Sequence, residues 1–209
     1  MSLGLFLDTS SKSPLMVLIQ EETVKDAWIS EEEKSSSFFI QDVKEFLEKN
    51  GVDFKDLNYI CTGTGPGSFI GTRVGVILAK TFAYALKIPL LHFSSLMCYN
   101  IKNEGLFALI SDAKSKGFYT LLGSKHLGHI EYDEKPTLMD ALELAKISKE
   151  RTLLCSDTSF LAQKNSCLQV DLTSFDYPQI AQLSYNLYKS HLINPSSTCP
   201  PEIFYLRLS

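Results

Sequence analysis

Glycines in the first half of the chain occupy a place that suits anion binding. Gly63, Gly65, Gly67, Gly71 and Gly75 follow one short apolar run and lead into a longer one. They therefore stand where a strand gives way to a helix. Backbone amides at a helix N-terminus attract anions, and glycine lets a phosphate group approach closely. Two interpretations stay open from the residues alone: a loop that faces a nucleotide, and a tight turn that packs closely.

The spacing of this glycine loop differs from two common phosphate-binding motifs. Gly65 and Gly71 are one residue too far apart for a P-loop, and Thr72 stands where that motif requires lysine. A dinucleotide-binding loop would need a third glycine where Ile70 stands. Ser68 lies in the loop without the glycine spacing of a nucleophile elbow, so a hydrolase is not predicted.

The carboxylates and histidines offer no complete catalytic set. Asp8 ends the first apolar run, and its simplest role is to cap the turn that follows through backbone hydrogen bonds. A remnant of a phosphate site, shared with Thr9 and Ser10, is the alternative. His126 and His129 form an H-x-x-H pair without a nearby third ligand, so we predict a solvated turn there. The residues predict neither a metal site nor a catalytic residue.

Composition excludes several classes of protein. The chain has 209 residues, 44% of them apolar and 21% charged, and a formal net charge of −4. These values fit a globular protein, and they disfavour one that grips nucleic acid alone. The five cysteines form no C-x-x-C pair, which favours free thiols in a reducing cytoplasm. Arg73, Lys80 and Lys87 interrupt the longest apolar stretch, so no membrane span is predicted.

Apolar runs and turn residues predict an α/β chain with the order βββαβα in its first half. Helices are expected near residues 39–47, 70–86, 139–147 and 178–192, and short strands at 167–170 and 203–206 in the second half. Asp8 and Asp112 each end an apolar run and precede a polar turn and another apolar run. Their separation of 104 residues (112 − 8) is half the chain. We therefore predict two related lobes, residues 1–104 and 105–209.

One motif is specific to a known family. The segment from Gly65 to Gly75 reads Gly-Pro-Gly-Ser-Phe-Ile-Gly-Thr-Arg-Val-Gly. It resembles the Gly-Pro-Gly-Ser-Phe-Thr-Gly-Leu-Arg-Ile-Gly signature of the TsaB (YeaZ) family, which takes part in making threonylcarbamoyladenosine (t6A) on tRNA. Further similar segments are Leu7-Asp8-Thr9-Ser10, Asp112-Ala113 and the terminal Pro201…Tyr205-Leu206-Arg207. Together they span nearly the whole chain.

The resemblance implies a two-lobed, actin/Hsp70-like ATPase fold built on ribonuclease-H-like units with mixed sheets. It also implies a subunit that does not catalyse, and that pairs with the related transferase TsaD and the small ATPase TsaE. The metal-binding His-x-x-x-His of TsaD has no counterpart here, because residues 35–45 contain no histidine. Transfer RNA would be held mainly by the partner. Any ATP or ADP would bind weakly and be completed at the subunit interface by the glycine loop, whose residues are Gly63, Gly65, Pro66, Gly67, Ser68, Phe69, Gly71 and Arg73.

The same resemblance directs attention to the first two helices as a partner surface. The helix after the glycine loop is apolar over a wide arc, which predicts cover on more than one face. The candidate interface residues are Phe38, Phe39, Val43, Ile77 and Tyr84. A core helix buried within the chain is the plain alternative. Two other functions also stay open: a small ATPase or kinase using Asp8 or Asp112 to position Mg²⁺, and a scaffold that forms a homodimer through these helices.

Overall fold

The computed structural model describes residues 1–30, 39–114, 117–133, 135–159, 161 and 169–195. Within them lie eleven strands and four α-helices. The strands are β1 (Leu3–Asp8), β2 (Leu15–Gln20), β3 (Thr23–Ile29), β4 (Tyr59–Gly63), β5 (Leu90–Phe93), β6 (Gly105–Asp112), β7 (Phe118–His126), β8 (His129–Tyr132), β9 (Thr137–Met139), β10 (Thr152–Cys155) and β11 (Asp171–Leu172). The helices are α1 (Phe39–Lys49), α2 (Phe69–Leu86), α3 (Ala141–Ile147) and α4 (Tyr177–Ile193).

The first sheet has the strand order β3-β2-β1-β4-β5. Strands β3, β2 and β1 are antiparallel to one another, whereas β1, β4 and β5 run parallel. Strands β1, β2 and β4 are almost wholly buried, which explains why they read in the sequence as continuous apolar runs and not as alternating ones. The predicted order βββαβα is the observed one.

Helices α1 and α2 share one apolar core with this sheet. The core includes Val43, Phe46 and Leu47 of α1, together with Leu78 and Ala79 of α2. By length and composition α2 is the one helix in the described part of the chain that could cross a membrane. A helix that covers a sheet has the same composition, and the packing of α2 on β4, β1 and β5 gives it that role here.

The second sheet repeats the plan of the first. Its order is β11-β10-β6-β7-β8, with β9 also paired to β7. Strand β7 pairs antiparallel with both β6 and β8, whereas β6, β10 and β11 run parallel to one another. The hairpins β1–β2 and β6–β7 therefore occupy equivalent places, as the repeated Asp8 and Asp112 segments predict. In both turns the aspartate Oδ1 accepts a hydrogen bond from the amide two residues later, at 2.7 Å for Ser10 and 2.8 Å for Lys114.

Several details differ from the sequence-based expectations. Helix α4 groups with Met1–Met97, and Cys98–Asp176 forms the other unit, whereas we placed the whole segment 105–209 in one lobe. The reason is packing, since α4 contacts β1, β2, β3 and β5 of the first sheet. Helix α3 begins at Ala141, because Asp140 and Glu143 form a capping box that leaves Met139 in β9.

The strand expected at 167–170 is also displaced. Strand β11 lies at Asp171–Leu172, where it pairs with β10. Residues 167 and 168 and the expected terminal strand at 203–206 lie outside the described residues.

Candidate functional site

The glycine loop closes onto the turn that follows β1. The Ser68 amide donates to the Ser10 carbonyl at 2.6 Å, and the Thr9 hydroxyl donates to the Gly71 carbonyl. A Cβ added at Gly67 would overlap Ser10, and one added at Gly71 would overlap the Thr9 carbonyl. Residues 9 and 10 of the same chain therefore fill the space that a side chain at Gly67 or Gly71 would need.

Gly63 and Gly75 have the same kind of neighbour. A Cβ at Gly63 would overlap the Asp8 carboxylate, and one at Gly75 would press on the Thr9 hydroxyl. Four glycines of the loop thus allow close approach between α2, the end of β4 and the β1 turn. This geometry favours the tightly packed turn over the nucleotide-facing loop as the explanation for the glycine spacing.

A buried polar network joins the ends of the three parallel strands. The Ser95 hydroxyl, just after β5, accepts a hydrogen bond from the Gly65 amide at 2.8 Å. The Ser94 hydroxyl donates to the Gly65 carbonyl, and the Thr64 hydroxyl donates to the Phe93 carbonyl. Asp8 closes the network, because it is bonded to Ser95 and to Ser10. The carboxyl ends of parallel strands are the usual ligand site of such sheets, and here they are bonded to one another.

Asp8 is the charged member of this network, and only 4% of its surface is exposed. Burial raises the pKa of the Asp8 carboxyl above its ordinary value, because the ionised form is poorly solvated. Hydrogen bonds from Ser95 and Ser10 act in the opposite direction. An enclosed carboxylate already held by two serines has little freedom to bind a hydrated metal ion.

Ser68 is the N-cap residue of α2. The Ser68 hydroxyl accepts from the Gly71 amide at 3.2 Å, and the Thr72 amide donates to the Ser68 carbonyl at 2.8 Å. The guanidinium of Arg73 lies 3.8 Å from the centre of the Phe69 ring, one helical turn away. The predicted loop residues Pro66, Ser68, Phe69 and Arg73 thus come together at this helix terminus, and Phe69 is half exposed.

Helix α2 has two faces of different character. Val76, Leu78 and Ala79 are buried in the core. On the opposite side, Ile77 is 61% exposed and Tyr84 is 88% exposed. Large apolar side chains left in water on one side of a helix mark a surface that another molecule can cover.

The remaining interface candidates lie elsewhere. Val43 is fully buried in the core, so it supports α1 and does not reach the surface as we expected. Phe38 lies outside the described residues, as does the side chain of Phe39, whose backbone begins α1. Ile40, one residue further, is a large apolar residue of α1 that is 58% exposed.

The histidine pair lies in a tight hairpin. His126 and His129 oppose each other across the turn Leu127–Gly128, where both turn residues have positive φ. Both histidines are exposed. In the described part of the chain, no three His, Cys, Asp or Glu residues are grouped so that they could hold a metal ion.

Sequence reasoning missed the serine and threonine members of the buried network. Thr64, Ser94 and Ser95 directly follow β4 and β5, and the polar pair after the apolar run 90–93 was the available signal. It also missed Ile70, which is 68% exposed on the same side of α2 as Ile77. Its spacing of seven residues from Ile77 would have shown this.

Comparisons with known proteins place these features in a family context. Residues 32–169 match the family model of TsaD, described as a tRNA N6-adenosine threonylcarbamoyltransferase. The chain is 35% identical to the tRNA threonylcarbamoyladenosine biosynthesis protein TsaB of Bacillus subtilis, over 72% of this chain and 68% of that protein. It is 28% identical to TsaB of Buchnera aphidicola from Acyrthosiphon pisum, over 66% of each chain.

Solved structures show the same fold. The chain superimposes with a TM-score of 0.77 on an uncharacterised protein described as similar to peptidase YeaZ from Pseudomonas aeruginosa, at 17% identity, covering 98% of this chain and all of that one. The TM-score to YeaZ from Pseudomonas aeruginosa is 0.74, at 18% identity, covering 91% of this chain and 94% of that one. Together with the family-model match, these likenesses identify the two mixed sheets as the actin/Hsp70-like ATPase fold.

Proposed function

Because the chain belongs to the TsaB family of tRNA threonylcarbamoyladenosine biosynthesis proteins, we propose that it is a non-catalytic subunit of a t6A transferase complex. In this role it binds, stabilises and activates a TsaD-type catalytic subunit in the bacterial cytoplasm. The observation that carries the proposal is the exposed apolar side of α2, on a helix whose opposite side is already covered by the sheet.

The buried network supports a role without catalysis. Its hydroxyls bond to neighbouring strands and to the glycine loop, and its one carboxylate is enclosed. A catalytic acid or metal ligand must instead reach its substrate. In our proposal the network's function is structural: it fixes the start of α2 relative to the sheet.

The other components of the complex follow from the same proposal. A TsaE-type ATPase joins the pair, and tRNA binds mainly through the transferase, since the chain carries a net charge of −4. ATP or ADP would bind weakly and only where the partner completes the site. A homodimer would form only when the transferase is absent, by covering the same surface.

Reconstitution tests this role. The purified transferase, its threonylcarbamoyl donor and tRNA should produce t6A only when the wild-type chain is added, whereas the chain alone should show no turnover. Ile77→Glu should abolish the stimulation and the pull-down of the transferase, because a charge would be buried at the centre of the contact. Its circular dichroism should stay unchanged, since Ile77 is exposed.

A matched variant controls for surface charge. Leu142 on α3 is 73% exposed and lies in the other unit, so Leu142→Glu should stimulate t6A formation like the wild type. Full t6A formation without the chain would refute the proposed role. Full stimulation by Ile77→Glu would refute the assigned surface.

A further inference from the structure

A buried hydroxyl without a partner lies between the first sheet and α4. The Tyr59 side chain is fully buried, and its hydroxyl has no hydrogen-bond partner among the described residues. Its ring lies against Gly4, where an added Cβ would overlap it, and stacks on the ring of Tyr188 of α4. A hydroxyl buried in this way loses its hydration without replacement, so the docked position of α4 carries a cost.

Helix α4 is attached to the first sheet by few buried side chains. Of its seventeen residues, three are buried: Ile180, Ala181 and Ser184. Helix α2, which is of similar length, has six. Alanine and serine bury little apolar surface, so Ile180 and the half-buried side chains supply most of the hydrophobic stabilisation of this contact.

The core formed by α1 and α2 lies on the other face of the same sheet. Side chains alternate along a strand, so Ile60 of β4 points away from the face that carries Tyr59 and Cys61. Ile60 belongs to the core that α1 and α2 share, whereas Cys61 is adjacent to Ser184 of α4. Helix α4 can therefore leave its face of the sheet while the core on the opposite face stays packed.

Two features favour the release of α4: its thin apolar contact and the unsatisfied hydroxyl beneath it. We propose that α4 is a detachable strap, which opens from the first sheet while the strands, α1 and α2 stay folded. Opening hydrates the Tyr59 hydroxyl and so offsets part of the lost apolar contact. Segments with few buried apolar contacts open at a lower free energy than the whole domain. A partner that binds only one of the two states would shift the population toward that state.

Cys61 reports on this opening, because its thiol is fully buried and lies beneath α4. Burial raises the pKa of the Cys61 thiol to about 12, so the docked state holds almost no reactive thiolate. Alkylation of Cys61 in the wild-type chain, followed by peptide mass spectrometry, should proceed through the opened state. Its opening constant should exceed that of the β1 amides in hydrogen exchange by about tenfold or more. It should also depend less on urea, because opening exposes less surface than unfolding.

Substitutions on both sides of the contact test its energetics. Tyr59→Phe should slow Cys61 alkylation by about tenfold, because it removes a hydroxyl that is unsatisfied only in the docked state. Tyr84→Phe removes a hydroxyl from a side chain that is 88% exposed, so Cys61 should react as in the wild type. Tyr188→Ala should speed the reaction by about tenfold or more, since it removes the stacked ring.

Two results would overturn the inference. If Cys61 and the β1 amides show the same opening constant and the same urea dependence, α4 opens only when the whole unit unfolds. If Cys61 reacts faster in Tyr59→Phe than in the wild type, the hydroxyl is satisfied in the docked state and does not favour release.

Discussion

The surroundings of Asp8 give this carboxylate a structural role, because it is buried and hydrogen-bonded to Ser10 and Ser95. It stands at the carboxyl end of β1, the edge at which α/β sheets usually bind ligands, yet it is enclosed by Ser10, Ser95 and Gly63. Its carboxylate satisfies the Ser10 amide and anchors the polar network. The local turn geometry followed from the sequence, because Asp followed by Thr and Ser predicts an Asx-type turn.

Replacing Asp8 by asparagine tests how burial affects its charge. The raised pKa means that the folded state holds this proton more tightly than the unfolded chain does. Stability from the neutral carboxyl is therefore fully present below the unfolded pKa and is lost as pH rises through the folded value. Asp8→Asn keeps the acceptor for Ser10 and cannot ionise, so its stability relative to wild type should rise as the pH increases above about 4, the ordinary pKa of an aspartate.

Urea unfolding at several pH values measures this difference. Asp171, an exposed aspartate in β11, offers the matched control, because Asp171→Asn removes a carboxylate without touching the network. That control should show no comparable trend. A stability difference between Asp8→Asn and wild type that is the same at every pH would contradict the assignment of a raised pKa.

At the scale of elements, α4 matters most for what the sequence could not reveal. Its helical character was predictable from Pro178 near its start and its apolar spacing. Its location was not, because no local signal says that a helix from the end of the chain returns to the first sheet. The contact includes Tyr188, whose ring stacks on the buried ring of Tyr59 with centroids 4.5 Å apart.

Truncating Tyr188 should loosen α4 from the first sheet. Tyr188→Ala removes a half-buried aromatic contact, so we expect a loss of about 2 kcal/mol in the free energy of unfolding, below the 3–5 kcal/mol typical of a fully buried ring. Tyr188→Phe retains the stacked ring and should stay within about 0.5 kcal/mol of wild type. Chemical denaturation monitored by circular dichroism gives both values. Equal stability of the two variants would show that the stack contributes little.

Other elements were predictable to the extent that local physics determines them. Strands β1, β2 and β4 and helix α2 are apolar segments bounded by turn residues, and α2 lies within one residue of its predicted limits, 70–86. Strand β11 is only two residues long and exists because β10 pairs with it, so its own sequence has no pattern to detect. The closing of the glycine loop onto residues 9 and 10 also depends on tertiary contact across some sixty positions.

At the scale of the whole molecule, the two sheets share one strand order, and the second has an additional strand, β9, paired to β7. In each sheet an aspartate turn connects the two strands of an antiparallel hairpin. Two parallel strands continue the sheet from the first strand of that hairpin. The plan is that of nucleotide-binding proteins, but a fold does not carry an activity by itself. In the first unit, the polar residues at the ends of the parallel strands are hydrogen-bonded to one another.

A nucleotide titration distinguishes our proposal from a free-standing ATPase or kinase. Isothermal titration of the isolated chain with ATP and Mg²⁺ should show no micromolar binding, because the Asp8 carboxylate is enclosed and the glycine loop is filled by Thr9 and Ser10. The same titration with the transferase complex serves as the comparison. Micromolar affinity of the chain alone would favour the ATPase or kinase instead.

The contact between Thr9 and the first turns of α2 also sets the rotational phase of that helix. Thr9 touches Gly71 and Gly75, which are four residues apart and so lie on one side of α2. Turning α2 by one residue, about 100°, would drive a side chain into Thr9 and carry the exposed Ile77 and Tyr84 toward the core. Gly71 and Gly75 thus fix the rotation of α2 about its axis, and this rotation determines which of its residues are exposed and which are buried.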